Sequence, residues 1–578
     1  MNTLTGLPAL IRPENGVSYV RGSTEIALSE STIGQFLRET SRKFPARQAV
    51  VFREQGVRWT WQEFDEQVDQ LAAGFLSLGI KKGDRVGMWS PNRVEWLITQ
   101  FATARIGAVL VNINPAYRVA ELEYALRKVG CKALVMAQTF KTSNYVSMLL
   151  EVAPELASQQ ADELQAARLP DLRAVICVGV PDVSGMMGFG TVMARGKAFL
   201  QEKGNVPLQT VERTLSANDP INVQFTSGTT GNPKGATLTH RNIVNNGRYV
   251  AMAMKLSEAD SLCIPVPLYH CFGMVLGVLA CVSAGAQMVF PGEGFDARST
   301  LAAVAEERCT ALHGVPTMFI AELGHPDFDT FDLSSLRTGI MAGSPCPVET
   351  MNHVVTKMHM REVTIAYGMT ETSPVSFQSS TTDPLDKRTT TVGQIQPHLE
   401  VKIVDTFGNM VPVGETGELC TKGYSVMLGY WEDEEKTRES VVDGWMHTGD
   451  LATIDEDGYC NIVGRLKDMV IRGGENIYPR EVEEYLFRHP KIQNVQVFGV
   501  PDSKNGEELC AWIVLHPGEG ATEEDIRDFC RGQIAHYKIP KYICFVDEMP
   551  MTVTGKVQKF AMREQMIRSL NLTEQKTA

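Results

Sequence analysis

The sequence contains no pair of cysteines spaced as C-x-x-C, although its 578 residues include 12 cysteines. Zinc modules and disulfide frameworks usually bring cysteines together in such pairs, so the isolated positions favour reduced thiols in a cytoplasmic compartment. The first 15 residues also lack a basic start with an apolar run and an Arg-rich amphipathic pattern. We therefore expect no targeting peptide and a cytoplasmic location.

Long apolar runs are also lacking. Residues 261–292 carry no Asp, Glu, Lys or Arg, but Pro265, Pro267 and His270 interrupt them. The continuous apolar part, residues 271–282, is shorter than the roughly 20 residues that a transmembrane helix needs. The pattern predicts a buried helix and no integral membrane segment.

The chain is not basic. Its 55 Lys and Arg residues stand against 68 Asp and Glu residues, which gives a net charge of −13. This balance opposes polyanions and excludes a general nucleic-acid binder, so a phosphate-bearing ligand needs a local site. Apolar residues at 43% and charged residues at 21% are typical of globular proteins, and the length predicts two or more domains.

The order of apolar runs predicts the fold class. Strand-like runs at 85–89, 108–113 and 133–137 alternate with helix-like runs at 96–105 and 121–129. Strands that alternate with helices form parallel crossovers, so we expect a layered α/β domain. By contrast, the polar stretches at 157–168 and 186–203 are typical of a surface insertion or a mobile connection.

The pattern changes twice toward the C-terminus. Short β-rich runs separated by Gly and Asp turns follow residue 392 and predict a small β-subdomain. Beyond residue 464 the chain has its own helices and strands, about enough for an independent α+β domain. We predict an N-terminal domain at residues 1–464 and a C-terminal domain at 465–578.

Residues 226–235 read Thr-Ser-Gly-Thr-Thr-Gly-Asn-Pro-Lys-Gly, between a strand-like run at 221–225 and a helix-like run at 242–249. The glycines and hydroxyls can surround an oxyanion, and Lys234 adds a positive charge. The P-loop of nucleotide triphosphatases is excluded, because Pro233 and Gly235 break its pattern. An ordinary Gly-rich turn is the alternative to a phosphate loop.

Five further motifs follow this loop in a fixed order. They are Tyr-Gly-Met-Thr-Glu-Thr at 367–372, Gly-Trp-Met-His-Thr-Gly-Asp at 444–450, Gly-Arg-Leu-Lys-Asp at 464–468, Gly-Gly-Glu-Asn-Ile-Tyr-Pro at 473–479 and Thr-Val-Thr-Gly-Lys-Val at 552–557. Together with the loop, they make nearly the whole chain resemble the ATP-dependent adenylate-forming enzymes. That family includes acyl-CoA synthetases, firefly-type luciferases and nonribosomal adenylation domains. The segments 83–86 and 112–118 most resemble the branch of medium- and long-chain fatty acyl-CoA synthetases.

The resemblance implies an ATP site. It implies that Tyr367 stacks on adenine, Thr370 bonds the α-phosphate and Glu371 binds Mg²⁺, roles that suit an aromatic ring, a hydroxyl and a hard oxygen ligand. Asp450 accepts the ribose hydroxyls, because an ionised carboxylate is acceptor-only. The remaining ATP-binding residues that it implies are Thr226, Ser227, Gly228, Thr229, Thr230, Gly231, Asn232, Pro233, Lys234, Gly343, Ser344 and Arg465.

The resemblance also implies a mobile C-terminal domain. Lys556 reaches the reacting carboxylate and phosphate during adenylation, where a fixed cation stabilises crowded negative charge. His270 lies on the carboxylate side or acts as a gate; a core histidine is the alternative. The domain then rotates about Lys467 and brings Gly473 and Gly474 to CoA. Further candidates for contacts to the CoA phosphates are Arg472, Lys538 and Lys541.

The expected activity is an acid–CoA ligase. A fatty acid and MgATP give acyl-AMP and pyrophosphate, and the thiol of CoA then displaces AMP. Residues 267–273 carry no acid to hold a substrate ammonium, and the apolar run beside them favours an aliphatic tail. The alternatives are a carrier-protein acceptor, oxygen as in luciferases, an aryl or branched acid, or a binding protein without catalysis. The sequence leaves chain length and a homodimer open.

Overall fold

The computed structural model describes residues 11–161, 164–179, 181–226, 233–344, 346–472, 475–502, 505–552, 554–570 and 572. The predicted loop residues Ser227, Gly228, Thr229, Thr230, Gly231 and Asn232 and the predicted CoA residues Gly473 and Gly474 lie outside these ranges. Within them, the twelve cysteines form no disulfide. No helix of the described residues is both long and apolar enough to span a membrane.

The first part of the chain alternates strands and helices. Its strands are β1 Tyr19–Arg21, β2 Gln48–Phe52, β3 Val57–Thr60, β4 Arg85–Trp89, β5 Val109–Asn112, β6 Ala133–Met136, β7 Thr139–Phe140, β8 Ser143–Asn144, β9 Ala174–Cys177, β10 Met186–Gly188, β11 Pro220–Thr226 and β12 Lys234–Thr239. Its helices are α1 Ile33–Lys43, α2 Trp61–Ser77, α3 Val94–Ile106, α4 Val119–Lys128, α5 Tyr145–Val152, α6 Phe189–Lys203, α7 Val206–Glu212 and α8 His240–Ala253. A 3₁₀ turn spans Pro154–Ala157.

The second part completes the large N-terminal region. Its strands are β13 Ser261–Cys263, β14 Gln287–Phe290, β15 Ala311–Gly314, β16 Thr338–Ala342, β17 Glu362–Gly368, β18 Val375–Gln378, β19 Gln394–Ile395, β20 Leu399–Val404, β21 Gly417–Gly423, β22 Gly429–Tyr430, β23 Val441–Val442, β24 Trp445–Ile454 and β25 Cys460–Arg465. Its helices are α9 Ala280–Ala284, α10 Ala297–Glu306, α11 Pro316–Leu323, α12 Val348–Lys357, α13 Leu385–Thr390 and α14 Glu434–Ser440, with 3₁₀ turns at Phe328–Thr330 and Thr370–Thr372.

The last part forms a separate small sheet with helices. Its strands are β26 Val470–Arg472, β27 Glu475–Ile477, β28 Ile492–Asp502, β29 Gly506–Leu515 and β30 Tyr542–Phe545. Its helices are α15 Pro479–Leu486, α16 Glu523–Cys530 and α17 Lys559–Ser569, with a 3₁₀ turn at His536–Lys538. Its own hydrophobic core is built from β26 to β30, α15 and α16.

Two large sheets share one core. Within the described residues, the first has the strand order β10-β9-β6-β4-β5-β11-β12-β22, and the second β19-β18-β17-β16-β15-β13-β14-β2-β3. Their central strands run parallel. One apolar core contains residues of both sheets and of α2, α3 and α8. The predicted layered α/β architecture is confirmed.

Strands β20, β21, β23, β24 and β25, which follow residue 392, form a smaller antiparallel sheet together with β1 in the order β1-β20-β21-β24-β23, with β25 beside β24. This confirms the expected β-subdomain. Strand β25 ends at Arg465, and the next strand, β26, belongs to the C-terminal sheet. Residues 466–468 form a turn between the two sheets, while the predicted domain boundary at 464/465 stays a prediction.

The predicted buried helix at 271–282 is present and wholly buried, with a distinct geometry. Residues Phe272–Leu279 form a π-helix that continues into α9. This segment contacts α8 and belongs to the large core. It places an apolar wall beside His270, which immediately precedes it.

One local expectation was wrong. Residues 186–203 are not a surface insertion: β10 joins the first sheet, and α6 buries Phe189, Val192 and Gly196 against α2. The predicted helix-like run at 242–249 lies within α8, but a strand stands between it and the phosphate loop. Strand β12 pairs with β11 in antiparallel register, Thr226 opposite Lys234, and α8 begins only at His240. A hairpin frames the loop, so a helix N-terminus does not follow it.

Candidate active site

Glu371 anchors one side of the site. It lies in the 3₁₀ turn Thr370–Thr372 after β17 and is 5% exposed. Its Oε1 accepts hydrogen bonds from Thr226 Oγ1 at 3.2 Å and from Tyr430 OH at 2.9 Å. These bonds fix a buried carboxylate against the end of β11. A hard, preorganised oxygen of this kind suits Mg²⁺.

Lys234 begins β12 on the same side of the molecule. It pairs in register with Thr226, and its Nζ lies 4.8 Å from the ring centroid of Tyr430. Tyr430 therefore contacts the lysine through its ring and Glu371 through its hydroxyl. Tyr430 thus links the cation Lys234 to the carboxylate Glu371 at the base of the predicted phosphate loop. A positive charge there suits an anionic phosphate, and a carboxylate suits a divalent metal.

Asp450 is the second buried carboxylate, at 6% exposed. Its Oδ2 accepts a hydrogen bond from Tyr367 OH at 2.6 Å, and its Oδ1 accepts one from Arg465 Nε at 3.0 Å. Asp450 and Arg465 face each other across β24 and β25. Burial, with the neighbouring Asp450, raises the pKa of Tyr367 well above its ordinary value, so the phenol keeps its proton and donates.

Lys556 reaches the site from the C-terminal part of the chain. The carbonyl of Gly555 accepts a hydrogen bond from Thr317 Oγ1 of α11 at 3.1 Å, which docks the loop on the N-terminal region. Gly343 follows β16 with a φ of +93°, and a Cβ there would lie only 4.0 Å from Lys556 Cε. The lysine therefore passes beside the backbone of Gly343.

Burial and three charged residues of the site shift the pKa of Lys556. Burial lowers its pKa from the ordinary value, and Arg465 adds to that shift, while Asp450 and Glu371 oppose it. The ammonium therefore lies within electrostatic reach of both carboxylates, although one belongs to the β17–β18 connection and the other to β24.

His270 lies beside the same lysine. Burial and then the charge of Lys556 lower the pKa of His270 to about 3. Its Nδ1 accepts a hydrogen bond from the backbone N–H of Phe272 at 3.2 Å, so the neutral ring carries its proton on Nε2. At neutral pH the imidazole offers a donor and no charge at the start of the apolar wall.

Two family models match this chain. The model of the AMP-binding enzyme matches residues 37–431, and the model of the AMP-binding enzyme C-terminal domain matches residues 481–556. The chain belongs to the AMP-binding enzyme family. The expected membership is confirmed, and the two matched segments flank the β-subdomain strands that carry Asp450 and Arg465.

Similar proteins extend over nearly the whole chain of this AMP-binding enzyme. It is 47% identical to the human mitochondrial medium-chain acyl-CoA ligase ACSF2 over 97% of this chain and 91% of that protein. It is 49% identical to the putative acyl-CoA synthetase YngI of Bacillus subtilis over 94% and 99%. The crystal structure of the anthranilate CoA ligase AuaEII with anthranoyl-AMP is similar with a TM-score of 0.81, at 26% identity over 95% and 99%.

The other predicted residues lie around the same centre or on the C-terminal side. Thr370 begins the turn that carries Glu371, Ser344 follows Gly343, and Pro233 precedes β12. Lys467 is exposed in the turn after β25. The three candidates for CoA phosphates are engaged in ion pairs: Arg472 with Glu508 at 2.8 Å, Lys538 with Glu481, and Lys541 with Asp502 at 2.7 Å.

Sequence reasoning missed Tyr430, which lies 59 residues from Glu371 along the chain and outside the quoted motifs. It also missed a buried polar ladder behind the loop. Asn222 Nδ2 donates to Asn112 Oδ1 at 2.9 Å, Gln224 Nε2 donates to Asn222 Oδ1 at 2.8 Å, and Cys271 Sγ donates to Gln224 Oε1 at 3.3 Å. The alternation of Asn222, Gln224 and Thr226 along an otherwise apolar strand was the available signal.

Proposed function

We propose that this AMP-binding enzyme is an ATP-dependent acyl-CoA ligase that forms AMP. The observation that carries the proposal is the position of Lys556, docked through Gly555 and Thr317 within reach of Glu371 and Asp450. The names of the relatives YngI and ACSF2, which match 94% and 97% of the chain, support the same activity. The first half-reaction joins the substrate carboxylate to the α-phosphate and releases pyrophosphate.

In this proposal the N-terminal region holds ATP. Asp450 accepts the ribose hydroxyls with Arg465 beside it, Tyr367 and the wall at Gly343 and Ser344 hold adenine, and Thr370 bonds the α-phosphate. The loop residues from Thr226 to Lys234 surround the phosphates. Glu371 would hold Mg²⁺, which neutralises phosphate charge when bound; its buried carboxylate, fixed by two hydroxyl donors, supports that role.

The reacting groups meet at Lys556 and His270. The carboxylate must approach an anionic phosphate, and Lys556 opposes that repulsion with a fixed positive charge in a partly buried site. The neutral His270 can donate from Nε2 to the substrate carboxylate without competing for its negative charge. Neither residue forms a covalent intermediate, because the adenylate itself supplies the leaving group.

The second half-reaction needs a different position of the C-terminal domain. Lys467 serves as the hinge, and Gly473 and Gly474 give the pantetheine a close approach to backbone. The thiol of CoA attacks the acyl carbonyl, AMP leaves, and a thioester remains. The turn at 466–468, between sheets of the two regions, supports this placement of the hinge.

Lys467→Pro should separate the two half-reactions. Proline fixes φ and prevents the hinge from changing its dihedral angles, so thioester formation should slow far more than adenylation. Lys467→Ala, which keeps that freedom, is the control. The measurement compares ATP–pyrophosphate exchange with acyl-CoA formation from supplied acyl-AMP, and equal losses in both would contradict the hinge assignment.

A fatty acid is the proposed acyl substrate, in the medium- to long-chain range. The buried apolar π-helix beside His270 supports an aliphatic tail, and the medium-chain relative supports that range. An aryl acid is the second candidate, because the anthranilate CoA ligase AuaEII has a similar structure. Carrier proteins are the alternative acceptors.

Pyrophosphate release measured across short to long aliphatic acids, aryl acids and amino acids, with and without CoA, tests the function. We expect the highest kcat/KM for aliphatic acids and acyl-CoA as product. A preference for aryl acids would replace the fatty substrate. Turnover with a carrier-protein arm but not with CoA would replace the acceptor.

The cytoplasmic location is also proposed. It is supported by the isolated cysteines, all of them free thiols. The ACSF2 relatives are named as mitochondrial proteins, whereas the Bacillus subtilis relative is named without a location. Fractionation of the source cells with an antibody to the chain tests the location, and recovery in an organelle or membrane fraction would overturn it.

A further inference from the structure

Three potential metal ligands meet on the β-subdomain, and one of them, His447, belongs to the same strand as Asp450. Glu418 and Cys420 alternate along β21, and Cys420 faces His447 across β24. One ligand atom from each side chain lies within 4.8 Å of the other two, and the described residues contain no second group of this kind. The group combines a carboxylate, a thiol and an imidazole.

The distances suit a small tetrahedral ion. Cys420 Sγ lies 3.5 Å from His447 Nδ1, and Glu418 Oε2 lies 2.9 Å from the same nitrogen. With bonds of about 2.0–2.3 Å, the ligand atoms of a tetrahedral zinc ion are roughly 3.5 Å apart. The sulfur and nitrogen already have this separation, and the carboxylate oxygen, 2.9 Å from the nitrogen, must move slightly away from it to bind the same ion.

The ligand types select the metal. One sulfur and one imidazole nitrogen favour Zn²⁺ or Co²⁺ over Mg²⁺, which prefers oxygen. The partly exposed side chains of Glu418 and His447 give an ion access from solvent, while Cys420 is fully buried. Burial and the nearby Glu418 raise the pKa of the Cys420 thiol to about 12, and Lys402 opposes that shift. Metal binding must therefore displace a proton.

We propose that Glu418, Cys420 and His447 form a binding site for Zn²⁺, with water as the fourth ligand. The S–H bond of Cys420 breaks, its proton leaves to solvent, and the sulfur bonds to the ion. His447 binds through Nδ1 with its proton on Nε2, and Glu418 binds through Oε2. No oxidant or reductant is needed.

Occupation of this site would act on the nucleotide site. Glu418 Oε1 accepts the N–H of Gly449 at 3.0 Å, and Gly449 precedes Asp450. An ion that engages Glu418 and His447 replaces their mutual hydrogen bond and shifts the segment that orients Asp450. Zinc would therefore weaken ATP binding. This inhibitory step rests on the proposed function, whereas metal binding does not.

Cobalt binding tests the site without catalysis. Titration of the full chain with CoCl₂ should give thiolate-to-cobalt charge-transfer absorption that saturates at one equivalent. Cys420→Ala should lose this absorption. Cys460→Ala, at another buried cysteine of the same sheet, should keep it. Absence of the absorption in the wild type, or its retention in Cys420→Ala, would overturn the proposal.

The inhibitory step has its own measurement. ZnCl₂ added to ATP–pyrophosphate exchange in excess Mg²⁺ should raise the KM for ATP several-fold in the wild type and in Cys460→Ala, but not in Cys420→Ala. Equal inhibition of all three proteins would overturn the link to Asp450. If the zinc-free protein shows no ATP–pyrophosphate exchange, the proposed function is contradicted. The metal site is tested independently, because the cobalt titration needs no turnover.

Discussion

Glu322 is a buried carboxyl group with no evident part in the site. It lies on α11 and is 1% exposed, and neither of its oxygens has a hydrogen-bond partner among the described residues. Burial raises its pKa well above the ordinary value, so the folded protein holds it neutral. An unpaired buried polar group of this kind lowers the free energy of unfolding.

The pH dependence of stability follows from that shift. Between the unfolded pKa near 4.5 and the higher folded pKa, only the folded state binds the proton, so stability falls by up to about 1.4 kcal/mol for each pH unit gained. Glu322→Gln should remove this fall. Urea unfolding at pH 5 and pH 7.5 measures it, with exposed Glu202→Gln as the control. The same slope in Glu322→Gln and the wild type would contradict the assignment.

Tyr430 offers a test of the proposed metal carboxylate. Tyr430→Phe removes the hydroxyl that donates to Glu371 and keeps the ring under Lys234. Hydrogen bonds to charged groups contribute about 1.5–3 kcal/mol, so adenylation should fall by roughly tenfold or more, with a higher Mg²⁺ requirement. Tyr459→Phe, which removes a hydroxyl bonded to Asp383, is the matched control. Equal pyrophosphate exchange in both variants would count against the role of Tyr430.

At the scale of elements, α6 depends on a glycine. A Cβ at Gly196 would lie 1.8 Å from the carbonyl oxygen of Gln70 in α2, so Gly196→Ala must separate the two helices. We expect a loss of about 1–3 kcal/mol in the free energy of unfolding. Gly190→Ala in the same helix meets no atom within 4 Å and should be neutral or stabilising. Urea unfolding of both variants measures the difference, and equal stability would mean that α6 does not pack so closely.

The packing of α6 could not be predicted from the sequence. Its buried stripe of Phe189, Val192 and Gly196 contains a glycine, which adds no apolar signal although it permits the closest contact. Strand β12 escaped prediction because glycine and threonine interrupt its apolar residues. The alternating strands and helices between residues 85 and 137 were predicted correctly, because buried parallel strands are continuously apolar.

At the scale of the whole molecule, Glu371 and Asp450 could be located because each lies in a short motif with a distinctive residue order. Their partners could not be found from local sequence. The bonds from Tyr430 to Glu371 and from Thr317 to Gly555 join residues 59 and 238 positions apart. Only tertiary packing brings such pairs together, and one sequence contains no signal for it.

The docked position of the C-terminal region is the central feature. The loop of Gly555 and Lys556 rests on α11 and beside Gly343, and the charges of Glu371 and Asp450 act on the pKa of the lysine. In the proposed function, a cation in that place stabilises the crowded negative charge of adenylation, whereas attack by the thiol on a finished adenylate does not require it. The two half-reactions should therefore depend on Lys556 to very different degrees.

Lys556→Ala measured in both half-reactions is the most direct test. ATP–pyrophosphate exchange with a fatty acid should be nearly abolished, and acyl-CoA formation from supplied acyl-AMP and CoA should be retained. Lys556→Arg, which keeps the positive charge, should recover part of the exchange. Wild-type exchange in Lys556→Ala would contradict the assignment of this lysine to adenylation.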